Sequence, residues 1–380
     1  MGAVGRRAFA MGCFAVLPQV LVAQQPVSLG KPDAEFPEAF TKIGSIRELG
    51  DGRVLVIDSK EQTVQLVDFR SGRASPVGRK GSGPGEYGNP SRLIALPDDS
   101  SAIFDPSNAR YLIVRPDGTP GSTFQIEIAG AVRFGGRGSA PRGTDAIGRI
   151  FVEGSNIVSN AEGNVAPADS APLLRFNRAT KRVDTLAFVQ LAKGNTRAEG
   201  NANGMMVMTG LKAFPSRDDW IPLPDGGVGI ARVRDYHVDR YSPAGVRTSG
   251  PPLTVSAVPV TDAEKAAWRA ERGGLAAGLG RGGAPPKNLP PPPQAEFPEV
   301  MPPFVAASLF AAPNGELWVL RSHRFTDVPV YDVFNAAATM SRRVALPATK
   351  ARLVGFGNRV LYIVRRDADD LEYLQRYRLP

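Results

Sequence analysis

The sequence predicts an all-β chain, a six-bladed β-propeller with one short helix in a long inter-blade insertion. Three observations lead there. Glycine and proline are abundant, at 41 and 34 of 380 residues, and both break helices and favour turns. A short segment of nearly continuous apolarity recurs six times: "RVLVIDS" (53–59), "SAIFDPS" (101–107), "RIFVEGS" (149–155), "GVGIARV" (227–233), "ELWVLRS" (316–322) and "RVLYIVR" (359–365). Such segments suit strands buried on both faces. Each follows a turn ("GDGR", "PDDS", "AIGR", "PDGG", "PNGE", "GNR") that supplies the Gly, Asn or Asp a tight hairpin requires.

Taken in chain order, residues 27–42 are expected to lend a strand to the last blade, hiding its open edge. Third strands then follow the six segments as "TVQLVDF", "RYLIV", "PLLRFN", "HVDRYS", "PVYDVFN" and "YLQRYRL", most of them closed by a second turn. One small sheet cannot cover both of its faces, but six packed about an axis cover one another. Two stacked β-sandwiches are the alternative that strand spacing alone permits.

Between the first two units lies "GSGPGEY" (81–87). A phosphate-gripping P-loop needs Gly-Lys-Ser/Thr opening a helix. Here Arg79 and Lys80 precede the glycines, and Pro90 leads into a strand. The stretch therefore reads as a joint, with Gly81, Gly83 and Gly85 bending the chain and Tyr87 packed between blades. Together with "NPSRLIALPDDSSAIFDPSNARYLIVRPDG", it resembles the NHL-repeat and related six-bladed propellers. Their unit is a glycine-rich joint, a proline-led strand, an Asp-Gly hairpin, a strand ending in Asp and an Asn-x-Arg loop. The resemblance covers residues 43–127. "PDDS" replaces the Asp-Gly turn, Ala109 is inserted in "SNARY", and the third to fifth units lack the glycine joint.

Three long insertions, 154–171, 192–216 and 256–300, fall on the face that carries the blade joints and the second-to-third strand loops. Long loops in compact domains are usually functional or disordered, and this convergence predicts a lid. "TDAEKAAWRAERGG" reads as a helix opened by a Thr261–Glu264 capping box and stopped at Gly273 and Gly274. The proline-rich "RGGAPPKNLPPPPQ" reads as a stiff tether. Met205, Met206 and Met208 read as packing under the lid.

Residues 1–23 read as a cleavable export signal: Arg6 and Arg7, an apolar run, and "LVAQQ" with a cleavage site after Ala23. "RRAF" also resembles the twin-arginine export motif. The run is broken by Pro18 and falls short of the ~20 residues of a membrane span. Cys13, the one cysteine, lies within it, so residues 24–380 have no thiol for a disulfide, a metal or nucleophilic catalysis. Too few apolar residues precede Cys13 for a lipoprotein signal. A single propeller domain, residues 24–380, is thus expected as a monomer in the periplasm or secreted. The formal charge of +9 becomes +7 without the signal, which suits an anionic ligand or envelope surface. Export argues against nucleic acid.

Support for catalysis is thin. His237 and His323 are the only histidines, too few for a three-histidine zinc site. No G-x-S-x-G elbow occurs. "DADDLE" (367–372) lacks the ligand order of a calcium loop and reads as a solvated turn. The basic residues carry the functional reading. Arg232, Arg234, Arg321, Arg324, Arg365 and Arg366 sit at or beyond the ends of three consecutive second strands, with His323 among them and Arg79 and Lys80 on a joint. Guanidinium groups read carboxylates and phosphates through paired hydrogen bonds. The competing reading pairs them with Asp235, Asp327 and Asp367. The expectation is a non-enzymatic binding protein with no cofactor, holding an anionic small molecule, glycan or envelope protein on its loop-rich face. The alternative, a chemistry known on six-bladed propellers, is a calcium-dependent hydrolase or lactonase with its site in the channel.

Overall fold

A computed structural model describes residues 25–126, 140–154, 157–159, 165–193, 196–201, 204–209, 212–278 and 295–380. The reading of residues 1–23, Cys13 included, and that of the whole proline-rich tract, 281–294, therefore lie outside the described residues. Six blade sheets are present, five of four strands and one of five. Blade 1 is Ile43–Glu48, Val54–Asp58, Thr63–Asp68 and Arg73–Pro76. Blade 2 is Arg92–Ala95, Ser101–Asp105, Arg110–Val114 and Pro120–Phe124. Blade 3 is Pro141–Thr144, Ile150–Glu153, Ser170–Phe176 and Val183–Gln190. Blade 4 is Asp219–Pro222, Val228–Arg232, His237–Tyr241 and Arg247–Ser249. Blade 5 is Phe304–Ala311, Leu317–Arg321, Val330–Phe334 and Met340–Ala345, and blade 6 is Arg352–Gly357, Val360–Arg366 and Glu372–Arg378.

The fourth strand of blade 6 comes from the other end of the chain. Ala34–Glu35 pairs antiparallel with Glu372–Arg378, as the need to hide an open edge predicts. The same segment does more than was expected: Val27–Ser28 first adds a parallel fifth strand to blade 5. One stretch of chain thus fastens two blades.

Six apolar cores prove the closure, one in each gap between blades. Leu55, Ile57, Leu93 and Ile103 fill the gap between blades 1 and 2, and Val54, Val56, Tyr362 and Val364 fill that between blades 6 and 1. The continuous apolarity of the second strands follows directly, since each faces two gaps; "VLVID" and "SAIFD" are buried at every position. Burial of each Leu, Ile or Val side chain contributes about 1.5–3 kcal/mol. The first strands adjoin one another from blade to blade and so surround the axis.

Local geometry bears out the turn and joint readings. Asp98 and Asp99 of "PDDS" both take positive φ, doing what Asp-Gly does elsewhere. Tyr87 is buried in the first gap, where its hydroxyl accepts the Val64 N–H at 3.0 Å. Gly85 has φ +72°, and a Cβ at Gly81 would strike the Glu86 carboxylate. The joint leads into a strand, not a helix. Two readings need correction. The helix spans Asp262–Gly278 and continues through Gly273 and Gly274; a helical glycine costs only about 1 kcal/mol, and the following Leu-Ala-Ala sequence favours continuation. Within "DADDLE", Asp367 caps the turn by accepting the Asp369 and Leu371 N–H groups, but Glu372 is fully buried rather than solvated.

Candidate functional site on the loop-rich face

The three insertions meet over blades 3 to 5. The first folds as a hairpin, Ile157–Ser159 with Val165–Pro167, and the second as another, Thr196–Asn201 with Gly204–Thr209; the two adjoin. Met205, Met206 and Met208 lie on the second hairpin; the predicted packing of their side chains falls outside what is described. Beyond it, Ala213 N–H donates to the Glu296 carbonyl, tying the second insertion to the third. An aromatic cluster binds these pieces to blade 5: Phe214 lies 6.4 Å from both Phe297 and Phe325, and Phe297 lies 5.3 Å from Trp268 of the helix. The Glu264 carboxylate takes the Thr261 N–H, the predicted return bond of the capping box.

The basic residues are dispersed over several blades, and four of them, Arg79, Arg232, Arg365 and Arg366, are hydrogen-bonded to carboxylates. Arg79 is exposed and pairs with Glu86 at 2.7 Å, and Lys80 donates to Gln62 at 2.8 Å. Arg365 holds Glu35 of the N-terminal strand at 2.8 Å and lies over the Tyr373 ring. Arg366 reaches Glu372 at 3.3 Å and Asp370 at 3.9 Å. Arg234 points to solvent, 4.0 Å from Asp235. The Arg324 backbone N–H contacts Asp327, and His323 Nδ1 lies 2.9 Å from the Arg321 carbonyl. His237 sits 3.5 Å from Asp239. Arg232 is fully spent, on Asp239 at 2.6 Å, Asp218 at 2.8 Å, the Phe188 carbonyl and the Tyr241 hydroxyl.

Arg321 is part-buried, unlike the equally unpaired but exposed Arg234. Its nearest carboxylate, Asp332, is 3.8 Å away, beyond hydrogen-bond range. Asp332 is already served by the Tyr236 hydroxyl at 3.0 Å and Arg343 at 3.1 Å. Burial, and then the Asp332 charge, keep the Tyr236 hydroxyl protonated well beyond the usual range, so it remains a donor. Arg321 lines a cleft of about 200 Å³ with Ser256, Ser322, Val255, Val258 and Met301–Pro303. Loop 255–258 and residues 301–303, which belong to the third insertion and its exit, supply most of the wall. Sequence reading reached Arg321 but not this wall, because an irregular segment such as "PPLTVSAVPV" carries no periodicity to place it.

A second basic feature lies where the first strands of blades 2, 3 and 6 begin, at one end of the axis. Arg92, Arg142 and Arg352 each lie at or next to the start of a first strand. Arg142 donates to Asp219 at 2.5 Å and to the Trp220 carbonyl at 2.8 Å. Arg352 donates to Glu372 and the Ile43 carbonyl. Among the described residues, Arg92 has only a 3.5 Å contact to the Arg142 carbonyl. The recurrence of Arg in "SRLI", "PRGT" and "ARLV" was a usable sequence signal that the second-strand arginines overshadowed.

Among the described residues, no group of three or more His, Cys, Asp or Glu side chains is gathered as metal ligands would be, and no helix is long and apolar enough to cross a membrane. No family model matches the chain, and no curated protein matches it. Among solved structures, the chain is similar to regucalcin, a calcium-binding protein from Agrobacterium tumefaciens, with 9% identity, TM-score 0.45, and 93% of this chain and 96% of that one covered. It is also similar to a gluconolactonase from Xanthomonas campestris (10%, TM-score 0.43, 94% and 99%). Virginiamycin B lyase from Staphylococcus aureus is a third (10%, TM-score 0.42, 92% and 99%). At such identities the likeness concerns the fold alone.

Proposed function

We propose that this propeller is an exported binding protein that takes a small amphipathic carboxylate on its loop-rich face, with Arg321 as the anchor. One observation carries the reading. Arg321 lines a cleft while standing out of hydrogen-bond reach of its nearest acid. A carboxylate there would accept paired bonds from the guanidinium and further bonds from the Ser256 and Ser322 hydroxyls. Val255, Val258, Met301 and Pro302 would cover its apolar part. The cleft sets the size: about 200 Å³ is roughly six water volumes at about 30 Å³ each. That admits a short-chain or aryl acid, or the acidic end of a larger molecule.

Calorimetric titration with benzoate and hexanoate tests the proposal. Saturable binding to the wild type is expected, weakened at least about tenfold in Arg321→Gln through loss of the charge-assisted pair, and unchanged in Arg234→Ala. Equal binding to wild type and Arg321→Gln would overturn it. Lactone hydrolysis abolished by a chelator would instead favour the catalytic alternative.

A further inference from the structure

Arg92, Arg142 and Arg352 differ in one respect that their own sequence does not explain: what the next blade offers them. Arg142 faces blade 4, which begins Asp218-Asp219, and Asp219 neutralises it. Arg352 is met by Glu372, the first residue of the third strand in its own blade. Arg92 faces blade 3, which begins Ala140-Pro141. No acid stands there, and the Arg142 carbonyl, at the limit of hydrogen-bond length, is its one contact among the described residues. The charges that act on it across the gap are a second cation, Arg142, and Asp219, which favours the Arg92 cation but is already bonded to Arg142 and to the Leu309 N–H. Burial and the Arg142 charge both work against the Arg92 cation.

A guanidinium held this way, partly buried beside a like charge, is costly unless something compensates it. The chain supplies acids to each of the other two arginines, so the omission at blade 3 is local. Arg142 contributes as well. Its Nε and one Nη are bonded to Trp220 and Asp219, and its other Nη makes no hydrogen bond to a described residue.

We propose that Arg92, with the spare edge of Arg142, forms a second anion site at that end of the axis, for a small dianionic oxyanion such as phosphate or sulfate, free or as the terminal group of an ester. A dianion held between the two guanidinium groups would offset the charge that Asp219 only partly compensates, which a monocarboxylate does to a lesser extent. This site stands on other residues and another blade junction than the Arg321 cleft, so either can fail alone.

The probes are inorganic phosphate, sulfate and acetate added to the full chain at constant ionic strength, read by calorimetry and by tryptophan emission, to which Trp220, whose carbonyl Arg142 holds, contributes with Trp268 and Trp318. Saturable binding of phosphate or sulfate, at least about tenfold tighter than acetate, is expected for the wild type and for Arg321→Gln. Arg92→Gln should lose it. If that variant does not fold, Arg92→Lys keeps the charge but not the planar donor fork, and should weaken binding at least about tenfold. Phosphate and sulfate responses no larger than that to acetate, or an undiminished response in the Arg92 variants, would overturn the proposal.

Discussion

Blades 1 and 2 end their second strands in Asp58 and Asp105, whereas blades 4 and 5 end theirs in Arg232 and Arg321. The acids turn inward and grip the incoming joint by its backbone. Asp58 accepts the Thr41 N–H at 2.7 Å and those of Lys60 and Glu61. Asp105 accepts Gly88 and Asn89 N–H at 2.9 and 3.0 Å. An arginine at that place has no acceptor for peptide N–H groups and must be matched by acids from elsewhere: Asp218 and Asp239 for Arg232, a distant Asp332 for Arg321. Blade 6 shows the intermediate solution. Its second strand ends in Arg366, and the opposite residue, Glu372, takes over the grip on the Ile43 N–H at 2.7 Å. Blades 1 and 2 thus hold their joints with acids of their own second strands, whereas blades 4 and 5, next to the cap, match arginines with acids from other segments.

That contrast can be broken at three points. The largest effect belongs to Asp105→Ala, which strands two joint N–H groups and the Asn108 amide around a fully buried carboxylate position. Urea unfolding should show a loss of about 4 kcal/mol; a loss under about 1 kcal/mol would mean that the acid does not hold the joint. Arg232→Met comes next, at about 3 kcal/mol. Asp218 loses its cation, while Asp239 retains Arg247 at 3.0 Å and Ser249. An equal cost at Arg321→Met would erase the distinction drawn between the two arginines.

The smallest effect is read against pH, at Glu372. Burial raises its pKa, but Arg352, Lys42 and the Ile43 N–H outweigh burial and leave it below the ordinary glutamate value. A carboxylate lowered in this way contributes stability that is complete above its unfolded pKa, about 4.3, and is lost as pH falls through the folded value. The urea midpoint should therefore drop below about pH 4 in the wild type. Glu372→Gln should start from a lower midpoint and fall less steeply. Parallel acid limbs would show that this carboxylate does not couple blade closure to pH.

The blades were legible because their signals are local. Six apolar runs, each after a turn residue, needed no knowledge of what they pack against, and Pro90 alone ruled a helix out after "GSGPGEY". The cap was legible as three insertions on one face, though not as hairpins joined through Phe214, Phe297 and Phe325. The partners of the arginines were the least accessible. Arg365 meets Glu35 across 330 positions of sequence, and Arg92 is distinguished only by what Ala140 and Pro141 lack. Charge pairing across a ring depends on neighbours that no window of sequence contains.

The two-blade fastening by residues 27–35 has a consequence for the order of events in a newly made chain. Ala34–Glu35 is synthesised early, yet its hydrogen-bonding neighbour, Glu372–Arg378, comes some 340 positions later. Until then Ala34–Glu35 has no partner, and blade 5, on which Val27–Ser28 docks, is the last that can be fastened, so the ring waits as an open arc. Contacts so distant along the polypeptide slow folding, so the unfinished arc is the form most exposed to misassociation, and it disappears in one step when the two ends meet.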